Sequence, residues 1–430
     1  MTPLRGILPW IREHPAYASL RERVQAGGSV TQPLMIPARP AVLAALIADQ
    51  EEQRRPTLII VSDSDQGRRL RQALRLWLED KPARLFEFPE PPTLFDEHAP
   101  WPPEAILDRV QVLALLALHR MGVSIGDAPP IFVTSARALM QRTLPYRQFR
   151  KAVRHLRVGE RVAPTELARH ATAIGYEPVS IIQAPGQISR RGGILDLYPV
   201  QTRTPYRIEF FGDEIDTIRA FDPETQRSTP DERVTEIWLT PAREALPGDG
   251  EHAVTELNRL LHASEAKGSP PPEMRQQLEQ HIEHLSTGVA FPSLESYLPY
   301  LYAEEQTLLH YFPNLPGEGF LVVDNLDRLS THWLKLEQQA IRQRERAAKR
   351  LAGEQEHQQV MAQPHSYVRW ASMRQLLNQR ATFQWSRRGQ RSRRGRRSPD
   401  TAATIDPQAL ESAFTPEPHF PGRLPETLGR

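Results

Sequence analysis

The stretch Ser189-Arg-Arg-Gly-Gly-Ile-Leu-Asp-Leu-Tyr-Pro199 is followed closely by Tyr206-Arg-Ile-Glu-Phe-Phe-Gly-Asp-Glu-Ile-Asp-Thr-Ile-Arg-Ala-Phe221. Apolar and polar residues alternate through much of it, the signature of half-buried strands. The pattern predicts strands over Ile188 to Val200, Tyr206 to Phe211 and Glu214 to Phe221. The links Gln201 to Pro205 and Gly212-Asp213 have the length and composition of hairpin turns, which makes an antiparallel meander. Successive side chains on a strand point to opposite faces. Ile208 and Phe210 therefore share one face, and with Ile194, Leu195 and Leu197 they are expected to build the sheet. Arg207, Glu209 and Phe211 share the other face, and Arg191 is expected from a neighbouring strand. Such an arginine–carboxylate–aromatic patch suits recognition of a protein partner. The same residues would also make an ordinary solvated salt-bridge ladder, worth little. On the residues alone the ladder is preferred.

Outward from this stretch the texture changes. Upstream, Thr57-Leu-Ile-Ile-Val-Ser62 and Ile131-Phe-Val-Thr134 read as buried parallel strands. Helical patterns run over Ala41 to Gln50, Gln66 to Leu78, Leu107 to Met121 and Ala136 to Gln141. This order predicts a three-layer α/β domain. A helix is expected over Pro164 to Ile174, closed by Gly175. Downstream, Phe320-Leu-Val-Val-Asp324 is expected as a late strand, and Thr331 to Gln358 as a charged helix, solvent-facing on most sides. Four segments follow: 1–140, the first part of an α/β domain; 141–235, an inserted α+β domain; 236–358, the rest of the α/β domain; and 359–430, a linker and tail. The tail contains a low-complexity run with Arg387, Arg388, Arg391, Arg393, Arg394, Arg396 and Arg397, read as disordered.

Composition narrows the chemistry. The 430 residues carry a net charge of +2, so any attraction for nucleic acid must be local, and 40 prolines punctuate short elements. There is no cysteine, which excludes disulfides, thiolate catalysis and cysteine-ligated metal. No segment has the length of a membrane span or a signal peptide, so the cytoplasm is the expected compartment. His281 and His284 could share a helix face, but no third metal ligand is evident. Phe95-Asp-Glu-His-Ala99 superficially resembles a helicase box, yet prolines surround it and no clear strand pattern precedes it.

The two central motifs, in this order, resemble the UvrB-homology region shared by the excision-nuclease protein UvrB and the transcription-repair coupling factor (Mfd). Val158-Gly-Glu-Arg, Ala173-Ile-Gly-Tyr176, the run Tyr300 to Tyr311 with His310-Tyr-Phe-Pro313, and the strand at Phe320 fit the same family. The resemblance covers roughly Ala41 to Arg380. Phe414-Thr-Pro-Glu-Pro-His-Phe-Pro-Gly-Arg-Leu424 echoes the start of the family's next segment. The resemblance implies a degenerate P-loop-NTPase-like α/β domain carrying an inserted domain that docks the excision-nuclease protein UvrA. The docking residues it implies are Arg191, Arg207 and Glu209, beside Phe211. Ser189 stands where many UvrB proteins have arginine, and Arg190 is the candidate to compensate.

UvrB proteins also carry a phosphate loop, G-x-x-x-x-G-K-[ST], whose glycines expose N–H groups to phosphate. No Gly-Lys dipeptide occurs here, and Met35-Ile-Pro-Ala-Arg-Pro-Ala-Val42 stands at the equivalent place. Pro37 and Pro40 remove two N–H donors. The expectation is a recruitment module with no enzymatic activity, no ATP and no other cofactor, truncated before the polymerase-binding and translocase domains. RNA polymerase and a motor would then be partners only through another chain. Two alternatives stay open: a UvrB-like ATP-dependent nuclease component or helicase fragment, and a DNA-binding module using a vestigial UvrB-like surface or the arginine run.

Overall fold

The short apolar runs on either side of the middle segment pair as parallel strands of one sheet. The computed structural model describes residues 4–78, 84–92, 100–124, 126, 128–265, 272–313, 315, 317–349, 363–380 and 382–386. The elements begin with α1 (Leu8–Glu13), α2 (Pro15–Gln25), β1 (Val30–Pro33), α3 (Arg39–Glu52), β2 (Thr57–Val61), α4 (Ser64–Trp77), β3 (Leu85–Phe88), α5 (Pro103–Arg120), β4 (Ile131–Ser135), α6 (Ala136–Met140) and α7 (Tyr146–Ala152). The middle segment follows with β5 (Arg154–Arg157), α8 (Pro164–Ala173), β6 (Glu177–Pro178), β7 (Gln187–Arg191), β8 (Ile194–Leu197), β9 (Tyr206–Phe211), β10 (Glu214–Phe221), β11 (Ser228–Arg233) and β12 (Glu236–Leu239). The chain continues through α9 (Glu251–Glu265), α10 (Pro272–Thr287), α11 (Leu298–Leu301), α12 (Leu308–Tyr311), β13 (Phe320–Val323), α13 (Leu326–Lys349), α14 (Trp370–Asn378) and β14 (Thr382–Ser386).

The first sheet has the order β1-β14-β13-β2-β4-β3, and all neighbours are parallel. Its central strands β13, β2 and β4 carry consecutive buried apolar residues because both faces are covered. Leu58, Ile60, Phe132 and Leu321 pack with Leu113 and Leu116 of α5, Leu139 of α6 and Trp333 of α13. Ile59, Val61, Val133 and Val322 pack on the other side with Val42 and Leu46 of α3 and Leu74 of α4. This is the expected three-layer arrangement.

Two features of this domain differ from what the sequence predicts. Residues beyond 358, expected as a linker and tail, supply α14 and a strand of the sheet: β14 lies between β1 and β13. Its Phe383 and Trp385 are buried in the sheet core, so a five-residue strand far along the chain completes the first layer. The helix expected from Thr331 begins at Leu326, five residues earlier, where Asn325 Oδ1 accepts the N–H of Arg328 at 2.8 Å. Leu329, Trp333, Leu336, Ala340 and Ala348 give it a buried stripe at helical spacing, so it is amphipathic.

The second sheet, in the order β11-β10-β9-β8-β7-β6, is antiparallel from β7 to β11. The predicted single strand over Ile188 to Val200 is in fact a hairpin. Gly192, with φ +61°, and Gly193 turn the chain between β7 and β8. Paired glycines permit the tight two-residue turn that an alternation count overlooks. The helix α8 covers the sheet's inner face with Leu167 and Ala171. Gly175, with φ +98°, closes it where an added Cβ would lie 2.6 Å from Arg243.

The inserted segment leaves and rejoins the α/β domain through a two-stranded neck. In it β5 pairs with β12, and His155 stacks on Trp238 at 4.0 Å. The neck therefore extends to Leu239, past the boundary expected at 235. Beyond it, the fully buried Arg109 of α5 makes a two-pronged ion pair with Glu244, with Nη2–Oε2 at 3.2 Å. Gln111 donates to the Val200 carbonyl at 3.1 Å, so the two sheets are tied through several contacts. Among the described residues, no helix is long and apolar enough to cross a membrane.

Candidate partner-docking face

The register of the second sheet determines which side chains share its outer face. Arg191 lies opposite Ile194, Ile194 opposite Glu209, and Glu209 opposite Thr217. The next row runs Ser189, Asp196, Arg207, Arg219. Opposed residues in an antiparallel sheet point the same way. Arg191, Arg207, Glu209 and Phe211 are thus brought to one face, with β8 between the strand of Arg191 and that of the others. The inner face carries Leu195, Leu197, Ile208 and Ile218, all buried, with Phe210 packed partly into the core.

The charged residues of this face are largely engaged with one another. Arg207 makes a bidentate pair with Asp196, Nε–Oδ1 at 2.8 Å and Nη2–Oδ2 at 2.9 Å, and donates through Nη1 to the Gln226 carbonyl. Its guanidinium lies 4.9 Å from the centre of the Phe221 ring. The hydrogen bonds from Arg207 to Asp196 raise the already high pKa of the guanidinium, which stays cationic. Glu209 accepts from the Thr217 hydroxyl at 2.8 Å and faces Arg219 at 3.5 Å. A salt-bridge ladder therefore crosses the face.

At the end of the sheet where the turns Gly192-Gly193 and Gly212-Asp213 lie together, the surface becomes apolar. Phe211 is 83% exposed and Ile194 37% exposed. Ile194, expected to help build the core, lies instead on the outer face diagonal to Phe211. The reason is local: Leu195 and Leu197 occupy the inner face, and strand alternation sends Ile194 and Asp196 outward. Exposed Arg191 flanks this pair and donates to the Ser180 carbonyl. Ser189 is buried and its hydroxyl reaches the same carbonyl at 3.1 Å, so it is not offered to a partner. Arg190, opposite buried Leu195, belongs to the inner-face row and cannot replace an outer-face contact beside Ser189. A single-strand pattern gives no sign of which arginine of Arg190-Arg191 reaches the face; the hairpin register does.

Two further expectations meet the structure. His281 and His284 do share a side of α10, where both stack on Phe291 at 4.5 and 5.6 Å, and His281 Nδ1 lies 2.7 Å from the Tyr297 hydroxyl. No cluster of three or more potential metal ligands occurs among the described residues. The segment from Met35 forms a 3-10 turn over Ile36–Ala38, and α3 begins at Arg39 with Pro40 in its first turn. Arg39 Nη1 is 3.1 Å from Asp324 Oδ1, at the carboxyl end of β13, and Gln66 donates to the other oxygen. The helicase-like stretch Phe95 to Ala99 and the arginines from Arg387 to Arg397 lie outside the described residues.

Residues 155–244 match the model of the UvrB interaction domain. The match starts on β5 and ends on Glu244, the buried partner of Arg109. The inserted segment of the chain is thus similar to a UvrB interaction domain. Among curated proteins, the transcription-repair-coupling factor of Bacillus subtilis is 30% identical over 319 residues, covering 73% of this chain and 25% of that protein. That of Haemophilus influenzae is 30% identical over 280 residues, covering 65% and 22%. That of Myxococcus xanthus is 33% identical over 239 residues, covering 54% and 19%. Over most of its length the chain is thus similar to transcription-repair-coupling factors. It spans about a quarter or less of the length of these relatives.

Proposed function

We propose that this chain is a repair-recruitment module in the cytoplasm, and that its outer sheet face docks an excision-nuclease protein of the UvrA type. The observation that carries this is exposed Phe211 next to exposed Ile194, on a sheet whose charged residues are already held by internal pairs. A large aromatic on a rigid strand loses little conformational freedom on binding, so it can act as an anchor. Arg191 at the margin supplies a cation, and the Asp196–Arg207 clamp acts as the support that keeps the strands in register.

The same reading holds that the segment is not a motor and binds no ATP. Pro37 and Pro40 lack the N–H groups a phosphate would need, and Arg39 is committed to Asp324. Activity of the translocase kind, and contact with RNA polymerase, would come from parts of the longer relatives that this chain does not match.

A pull-down or calorimetric titration of purified UvrA tests the docking. Phe211→Ala is expected to weaken binding by about 2 kcal/mol or more, ~30-fold, without lowering Tm. Arg191→Ala should weaken it less. Equal binding by wild type and Phe211→Ala would reject this face, and no binding by folded wild type would reject the recruitment reading altogether.

A further inference from the structure

A cavity of ≈ 270 Å³ opens at the amino ends of β1, β13 and β14, at the end of the sheet opposite Arg39 and Asp324. Its apolar part is formed by buried Phe312, Phe320 and Phe383. Two arginines, Arg55 and Arg380, border the space, and none of its described lining residues is Asp or Glu.

Arg380 is held by backbone carbonyls, and neither guanidinium makes an ion pair with a described residue. Arg380 donates through Nη1 to the Leu376 carbonyl at 2.9 Å and through Nη2 to the Leu309 carbonyl at 3.2 Å. Its Nε is covered and has no hydrogen-bond partner among the described residues. Burial, reinforced by nearby Arg120, lowers the pKa of Arg380, as expected of a cation lacking a counter-ion. Arg55 lies against Gly317, where an added Cβ would sit 3.1 Å from its Nη2, and its guanidinium makes no ion pair or hydrogen bond with a described residue. A desolvated cation facing a cavity without a carboxylate is costly, and an anion entering that cavity removes the cost.

We propose that this cavity is a binding site for a compact phosphate-bearing small molecule, held by Arg55 and Arg380. Guanidinium forks match phosphate oxygens and bind them in bidentate fashion. The carboxyl end of α2 borders the same space and carries partial negative charge, so the arginines, and not a helix terminus, must hold the anion. The volume lies below the usual range of about 300–1,000 Å³ for pockets taking drug-sized ligands, which favours a phosphate or diphosphate with at most a small organic group. The three phenylalanines offer apolar surface to such a group.

The test is isothermal titration of the full chain with inorganic phosphate, pyrophosphate and glycerol 3-phosphate at constant ionic strength, paired with thermal melts. The expected result is saturable binding of at least one of them, with a rising Tm. Arg55→Gln should weaken it about tenfold or more, and Arg68→Gln, an exposed charge on α4, should leave it unchanged. Preference for glycerol 3-phosphate over the inorganic anions would assign the aromatic floor to an organic group; preference for pyrophosphate would assign the site to the phosphates alone. Arg380→Gln would remove two bonds to carbonyls that support the fold, so Arg55 is the deciding variant. Absence of saturable binding up to about 10 mM, or equal loss in Arg55→Gln and Arg68→Gln, overturns the proposal.

Discussion

Arg109 and Glu244 are both fully buried, and each satisfies the other across the junction of the two sheets. Removing one leaves the other charge unpaired in an apolar site, which costs about 3–5 kcal/mol, whereas removing both together costs far less. Arg109→Met should therefore lower urea-unfolding stability by that amount, and Arg109→Met with Glu244→Leu should recover much of it. A double variant as unstable as the single one would show that the pair has little to do with the loss. His170 of α8 is a second test at this scale. Burial lowers its pKa below the ordinary 6.5, with Arg154 adding to the effect, while the Ala152 carbonyl and Glu166 oppose it. The unfolded chain therefore takes up a proton first as the pH falls. The stability due to neutral His170 is present above pH 6.5 and is lost as the pH drops through the folded-state value. His170→Gln should lose less stability than wild type between pH 7.5 and pH 5.5, measured by denaturant melts at each pH.

The hairpin β7–β8 shows how one glycine positions an element. Gly192 holds φ +61°, a conformation that L-residues with a Cβ adopt at a cost. Gly192→Val should destabilise the chain by about 1–3 kcal/mol and disturb the register that places Arg191 opposite Ile194. On the docking proposed above, UvrA binding should then weaken together with stability, unlike the effect of Phe211→Ala. The β14 strand makes a different point. Five residues with alternating Phe383 and Trp385 suit a strand, but nothing local marks them as the neighbour of β1 and β13, which lie hundreds of residues away in one case. Parallel pairing is set by packing between distant runs, and turn chemistry does not announce it.

One apolar cluster runs through the molecule. It contains Leu58 and Phe132 of the parallel sheet, Leu195 and Ile208 of the antiparallel sheet, and Leu294 and Trp333 from the later part of the chain. A shared core predicts that the two sheets unfold together. Tryptophan fluorescence and far-UV circular dichroism should give coincident denaturant transitions. Separate transitions would mean that the neck and the Arg109 junction do not couple the sheets. A rigid connection of this kind would also hold the docking face at a fixed orientation to the α/β layers.

The sequence by itself determined many of the elements and much of the face. Alternation at Tyr206–Phe211 placed Arg207, Glu209 and Phe211 together, the buried runs at Thr57 and Ile131 announced parallel strands, and two motifs in order pointed to the family. These features depend on period and spacing, which are local. The tertiary structure alone decided what each side chain does there. It paired Arg207 with Asp196, turned Ile194 outward, set Arg190 on the opposite face from Arg191, and inserted β14 into the first sheet. Each of these outcomes depends on the register between strands and on contacts between residues far apart in the chain, and neither is written in the pattern of any single segment.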